Sequence, residues 1–232
     1  MGIYVLTVAG ALAISGVYHA IDRGWALRQM MRQIDHMAIW FLIAGTFTAV
    51  HGVACRGFWR KGILAIVWSY ALVGVCLQMF WFDAFSGNLG LALYLGMGWI
   101  GIASILKLGK QMGYSALAPM FAGGLAFSAG AILEAADIPV IVPKWIGPHE
   151  FFHLAVLLGL ALHWRFVAAL LRRATPALEI VARADSPEAA SPESQLRRRS
   201  TLPRLRRRRT RGVARYRQRR SFPALARQVR SA

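Results

Sequence analysis

Six runs of unbroken apolar sequence divide this chain, and each is close to the length that crosses a bilayer as a helix, roughly 20 residues. They lie near 2–21, 36–55, 62–82, 88–107, 114–134 and 150–171. In lipid no water answers a backbone N–H or C=O, so only helices and closed barrels span it. A barrel strand alternates apolar and polar residues over about ten positions. These runs do not alternate. The expectation is an all-α, polytopic transmembrane helix bundle over residues 1–174. Gly124 with Ser128 and Ala126 with Gly130 put small residues one turn apart, a signal for close helix packing.

Charge divides the chain in two. Residues 1–174 hold 12 Lys and Arg against 6 acids, whereas residues 175–232 hold 16 Arg against 4 acids and no Lys. Like charges in runs such as Arg197-Arg198-Arg199 and Arg206–Arg209 repel in any compact state. Residues 175–232 are therefore expected to form a disordered, Arg-rich tail. Its partner would be anionic lipid headgroups, at about 1 kcal/mol per basic residue near the surface. A tail without a selected role fits the composition equally well. No aromatic interleaving accompanies the arginines, so no specific nucleic-acid partner is expected. Cys55 and Cys76 read as small buried hydrophobes. No Lys or Arg precedes Arg23, which argues against a cleaved signal peptide and for a first helix that stays. Arg56, Arg60, Lys61, Lys107 and Lys110 share a side with both termini and mark it as cytoplasmic in a multi-pass protein of the cell (inner) membrane.

Imidazole and carboxylate are costly in lipid unless paired or coordinated. His19 closes the first run, and Asp35 stands at the head of the second. His149 and His153 open the sixth, four crossings later, and an even number of crossings returns the chain to the same face. Ser15, His19, Asp35, His149 and His153 should therefore share one side of the bilayer. Ser15 and His19 are four apart, as are His149 and His153, so on a helix each pair projects from one face about 6 Å apart along the axis. Three imidazoles suit zinc, with a fourth position left for water. Asp35 could orient or deprotonate that water, and the Ser15 hydroxyl could hydrogen-bond it. His36 points about 100° away from Asp35 and is read as structural. His51 and His163 lie deeper or at the opposite face and are expected to hydrogen-bond within the bundle. Residues 149–153 also read His-Glu-x-x-His, the zinc peptidase pattern with Glu150 as base. A metallopeptidase therefore stays open as an alternative.

These motifs resemble the hemolysin III family, within the progestin and adipoQ receptor (PAQR) superfamily. The likeness rests on Ser15-xxx-His19, on Asp35-His36-Met37-Ala38-Ile39-Trp40 through Ile43-Ala44-Gly45-Thr46-Phe47-Thr48, on Tyr94-Leu95-Gly96-Met97-Gly98-Trp99, and on His149-xxx-His153 followed by His163. The resemblance implies zinc held by His19, His149 and His153, with Asp35 and Ser15 near its water. It implies seven spans where six are read here. It also implies a site toward the cytoplasm, whereas the loop charges put it outside. By analogy with ceramidase-like relatives the expected activity is zinc-dependent hydrolysis of a lipid amide or ester, with membrane lipid as substrate. Two alternatives stay open: a cytolytic or pore-forming protein, and a receptor-like scaffold whose zinc is structural.

Overall fold

The structure, a computed structural model, describes residues 1–22, 24–141 and 147–184, with side chains to residue 174. The chain divides into two units, Met1–Leu170 and Leu171–Ala232. The first unit is built from α1 (Gly2–Ala20), α2 (Ala26–Ala54), α3 (Phe58–Phe80), α4 (Phe82–Phe85), α5 (Asn88–Trp99), α6 (Gly101–Met112), α7 (Tyr114–Ala135) and most of α8, which starts at Pro148 and continues to Ala184. No strand occurs among the described residues. Six stretches are long and apolar enough to span a membrane, the fourth being α5 and α6 together across a turn at Ile100. The chain is an all-α membrane bundle, as the unbroken apolar runs require.

Helices outrun the apolar runs at several ends. Hydropathy puts Asp35 at the head of the second span, but α2 begins at Ala26, so Asp35 lies more than two turns inside it. The segment Ala26-Leu27-Arg28-Gln29-Met30-Met31-Arg32-Gln33 is polar on average yet made of strong helix formers. Hydropathy marks where lipid begins; propensity decides where the helix does. The same effect carries the fourth crossing to Met112, past the expected end at 107. α8 also runs ten residues beyond the expected boundary at 174. The rest of the expected disordered tail, 185–232, lies outside the described residues.

α2 is the axis of the bundle. Of its best membrane window 56% is buried, against 6% for α1. Trp40, Ala44 and Phe47 of α2 form a core with Ile63, Val67 and Ala71 of α3 and Tyr94 and Met97 of α5. Gly74 leaves room for the Trp40 indole: a Cβ there would stand 2.4 Å from the ring. At this core's edge Gln78 is fully buried but satisfied. Its Oε1 accepts from the Trp40 indole N–H at 2.8 Å. Its Nε2 donates to the Phe85 carbonyl at 2.8 Å and lies 2.6 Å from the Tyr94 hydroxyl, which donates onward to the His36 carbonyl at 2.8 Å. A buried amide left unpaired in such a core would cost about 1–3 kcal/mol, so this network fixes how α2, α3 and α5 meet.

Small residues set the remaining contacts. Thr7 of α1 fills the space over Gly45 of α2. α7 and α8 approach closely where Gly130 faces Ala155, Gly159 faces Phe127 and Gly123 faces the His163 ring. Gly130 thus has the packing role its spacing suggests, whereas a Cβ at Gly124 would meet open space. α6 passes into α7 through Gly113 alone, at φ 86°, a backbone state that strongly favours glycine.

Candidate metal centre

Three histidine rings from the two ends of the sequence converge on one point. His19 stands in the last turn of α1, and His149 and His153 in the first two turns of α8. Their Nε2 atoms are 3.4 Å (His149–His19), 3.2 Å (His153–His19) and 3.1 Å (His153–His149) apart. Hydrogen bonds alone cannot satisfy this triangle. Each Nε2 either carries a hydrogen or presents a lone pair, so at least two of the three are in the same state and face each other with nothing to share. A cation answers all three lone pairs at once. Zinc–nitrogen bonds of about 2.0–2.1 Å at tetrahedral angles put ligand nitrogens about 3.3 Å apart. The observed separations bracket that value, and the three residues could hold a metal ion.

Local structure explains why the rings meet. α1 ends at Ala20, and its last carbonyls are capped from α2: the Arg28 guanidinium donates to the carbonyls of Tyr18 and Ile21 and lies 4.7 Å from the centre of the Tyr18 ring. A cation at a helix C-terminus offsets the carbonyl ends left without partners. Arg28 therefore fixes the tip of the helix that carries His19. At the other end of α1, the buried Tyr4 stacks on Trp164 of α8 with ring centres 6.0 Å apart. α8 begins with Pro148, a residue suited to the first turn, and the Glu150 carboxylate accepts the Gly147 N–H at 2.8 Å.

Asp35 and Ser15 reach the same place. Ser15 and Asp35 are neighbours, and the Asp35 carboxylate is near enough to His149 for their charges to interact. Both line a cavity of about 370 Å³ together with His149 and His153. From that polar mouth the cavity continues along apolar walls, past Ile43, Phe47 and Phe127, to His51, Ser104 and His163. Counting crossings puts Ser15, His19, Asp35, His149 and His153 on one face, and the bundle brings them to one end of this cavity.

The other histidines are engaged with the protein. His36 donates from Nδ1 to the Arg32 carbonyl at 3.0 Å. His51 donates from Nδ1 to the Phe47 carbonyl at 3.0 Å and accepts the Ser104 hydroxyl at Nε2, 2.8 Å away. His163 donates from Nε2 to the Met120 carbonyl at 3.1 Å. Glu150 is exposed and caps its own helix.

Two residues near the site are hidden from a reading by sequence alone. Arg28 looks like loop charge when hydropathy sets the start of α2. Glu134, in the last turn of α7, lies with Oε1 3.2 Å from His149 Nδ1. An acid inside an apolar run is itself a signal of function, and Glu134 carries that signal.

Comparison with known proteins identifies a family. A family model described as "Haemolysin-III related" matches residues 1–164, which include all six histidines and stop short of the Arg-rich tail. "Hemolysin-3" of Bacillus cereus is 33% identical over 129 residues, 56% of this chain and 56% of that protein. "Hemolysin-3 homolog" of Bacillus subtilis (strain 168) is 34% identical over 134 residues, 58% of this chain and 60% of that protein. The chain thus aligns with less than two thirds of the length of these relatives. No solved structure matches.

Proposed function

The chain belongs to the Haemolysin-III related family of multi-pass membrane proteins, and from that premise we propose that it carries a zinc ion on His19, His149 and His153 and hydrolyses an amide or ester bond of a membrane lipid, acting in the cell membrane. The observation that carries the reading is the triangle of Nε2 atoms, 3.1–3.4 Å on a side, at the mouth of a long apolar cavity.

Zinc bound there would supply Lewis acidity, which polarises a carbonyl and makes water acidic near neutral pH. The remaining parts are the chain's own. The apolar walls formed by Ile43, Leu91, Phe127 and Val156 suit an acyl chain and keep bulk water from the deep end. Asp35, which lines the cavity with His149 and His153, would supply the carboxylate that takes a proton from water. The Ser15 hydroxyl, in the same cavity wall, would hydrogen-bond that water. Arg28 holds the tip of α1, so that His19 keeps its position opposite α8.

The peptidase alternative is the weaker one, because the carboxylate it would use as base, that of Glu150, is exposed and bonded to the Gly147 amide. The names of the relatives favour a second reading, a membrane-lytic protein in which zinc is a clamp. One experiment separates the readings. Purified protein in detergent is assayed for bound metal and incubated with ceramide, N-acyl amide and ester lipids, with and without a chelator. The hydrolase reading expects about one zinc per chain and chelator-sensitive release of fatty acid. Zinc with no turnover on any lipid, together with dye leakage from liposomes, would overturn it in favour of lysis.

A further inference from the structure

A metal-binding imidazole has to present a bare nitrogen, and in a neutral ring that means the hydrogen sits on the other nitrogen. Among the described residues only His149 of the three has an acceptor at its Nδ1, and that acceptor is Glu134 Oε1 at 3.2 Å. A carboxylate there favours N–H at Nδ1 and so bares Nε2, the atom that faces His19 and His153. The geometry points to Glu134 as a positioning residue: by taking the Nδ1 hydrogen of His149 it sets that ring's tautomer and angle. The inference rests on the metal reading above and adds a residue to it.

The fold supports this assignment independently of the ring contact. Glu134 is one turn beyond Gly130, one of the points where α7 and α8 approach closely, since a Cβ on Gly130 would stand 2.6 Å from Ala155 Cβ. The two helices run antiparallel, so one turn further along α7 lies beside the first turn of α8, where His149 is. The close approach at Gly130 thus brings the carboxylate within reach of the ring. Glu134 Oε2 is buried and has no hydrogen-bond partner among the described residues. Burial of a half-satisfied carboxylate costs folding free energy, and a chain that gained nothing from Glu134 would be more stable with an apolar residue there. The second oxygen is also what separates a carboxylate from an amide at this position. An amide has one acceptor atom, enough for the Nδ1 hydrogen, so glutamine keeps the hydrogen bond to His149 while losing the charge and turning the second oxygen into an NH2 donor.

Full-length protein in detergent, with zinc affinity measured by competition against a chromophoric chelator, tests the assignment. Glu134→Leu should weaken zinc binding roughly 10- to 100-fold, the usual effect of removing such a partner. Glu134→Gln should stay within a few-fold of the parent. Thermal unfolding shows whether each variant is folded, and glutamine, nearly the same shape as glutamate, serves as the folded reference. The 15N shifts of the His149 ring in metal-free protein give a second readout: the Nδ1–H form should dominate in the parent and in Glu134→Gln, and lose its dominance in Glu134→Leu. Equal zinc affinity for parent and leucine variant would overturn the role, as would a glutamine variant as weak as the leucine one. If the parent itself binds no zinc, the metal reading falls, while the tautomer readout still decides whether Glu134 orients His149.

Discussion

The two ends of one cavity hold histidines of the same kind in opposite circumstances. At the deep end, His51 and His163 hydrogen-bond to carbonyls of Phe47 and Met120 and to the Ser104 hydroxyl. At the mouth, His19, His149 and His153 turn a nitrogen toward one another, with no hydrogen arrangement that serves all three. Burial does not separate the two groups in the expected direction, since His51 and His163 are buried whereas His19 is exposed. What separates them is whether a group other than another imidazole answers Nε2: the Ser104 hydroxyl does so for His51 and the Met120 carbonyl for His163. An imidazole whose Nε2 is matched by a neighbouring helix holds helices together, and one whose Nε2 is left to face its own kind is available to a cation.

The largest effect that could break this contrast comes from removing two of the converging rings. His149→Ala with His153→Ala should leave a protein that retains no zinc after dialysis, by elemental analysis, while His51→Leu and His163→Leu keep a full complement. Loss of metal in the deep-end variants would erase the distinction. Next is the acid at the mouth. Asp35→Asn should lower lipid turnover by roughly 10²- to 10⁴-fold with metal content unchanged, and turnover at the parent rate would remove Asp35 from the chemistry. Third, the deep end should matter for stability. His51→Leu removes the partner of the buried Ser104 hydroxyl and should cost about 1–3 kcal/mol in denaturant unfolding in detergent. Smallest is Glu150→Gln, which keeps an acceptor for the Gly147 N–H. It should cost at most about 1 kcal/mol of stability and change neither metal content nor turnover; abolished activity would return the peptidase reading to first place.

Much of the molecule is legible from residues alone. Unbroken apolar runs cannot be barrel strands, and six of them with polar residues at matched ends place Ser15, His19, Asp35, His149 and His153 on one face by counting crossings. Two kinds of information are not legible. Helix ends follow propensity as well as hydropathy, so Ala26–Ile34, with its two arginines and two glutamines, resembles a loop, and the Arg28 cap on α1 stays hidden with it. Contacts between neighbouring helices depend on rotation about their axes, which a run of Gly, Ala, Leu and Ile barely fixes. Glu134 is 15 residues from His149 and one helix away, and only the packing of Gly130 on Ala155 reveals that the two side chains meet.

The path of α1 has a mechanical consequence. Its start is stacked on Trp164 and its finish sits beside His149 and His153, so the opening helix of the bundle is strapped to the closing one at both tips. An ion gripped at the second tip acts as a buckle, joining parts of the chain 130 residues apart. Cation uptake and ring closure of the bundle would then be one equilibrium, and a chelator would loosen a joint as well as empty a site.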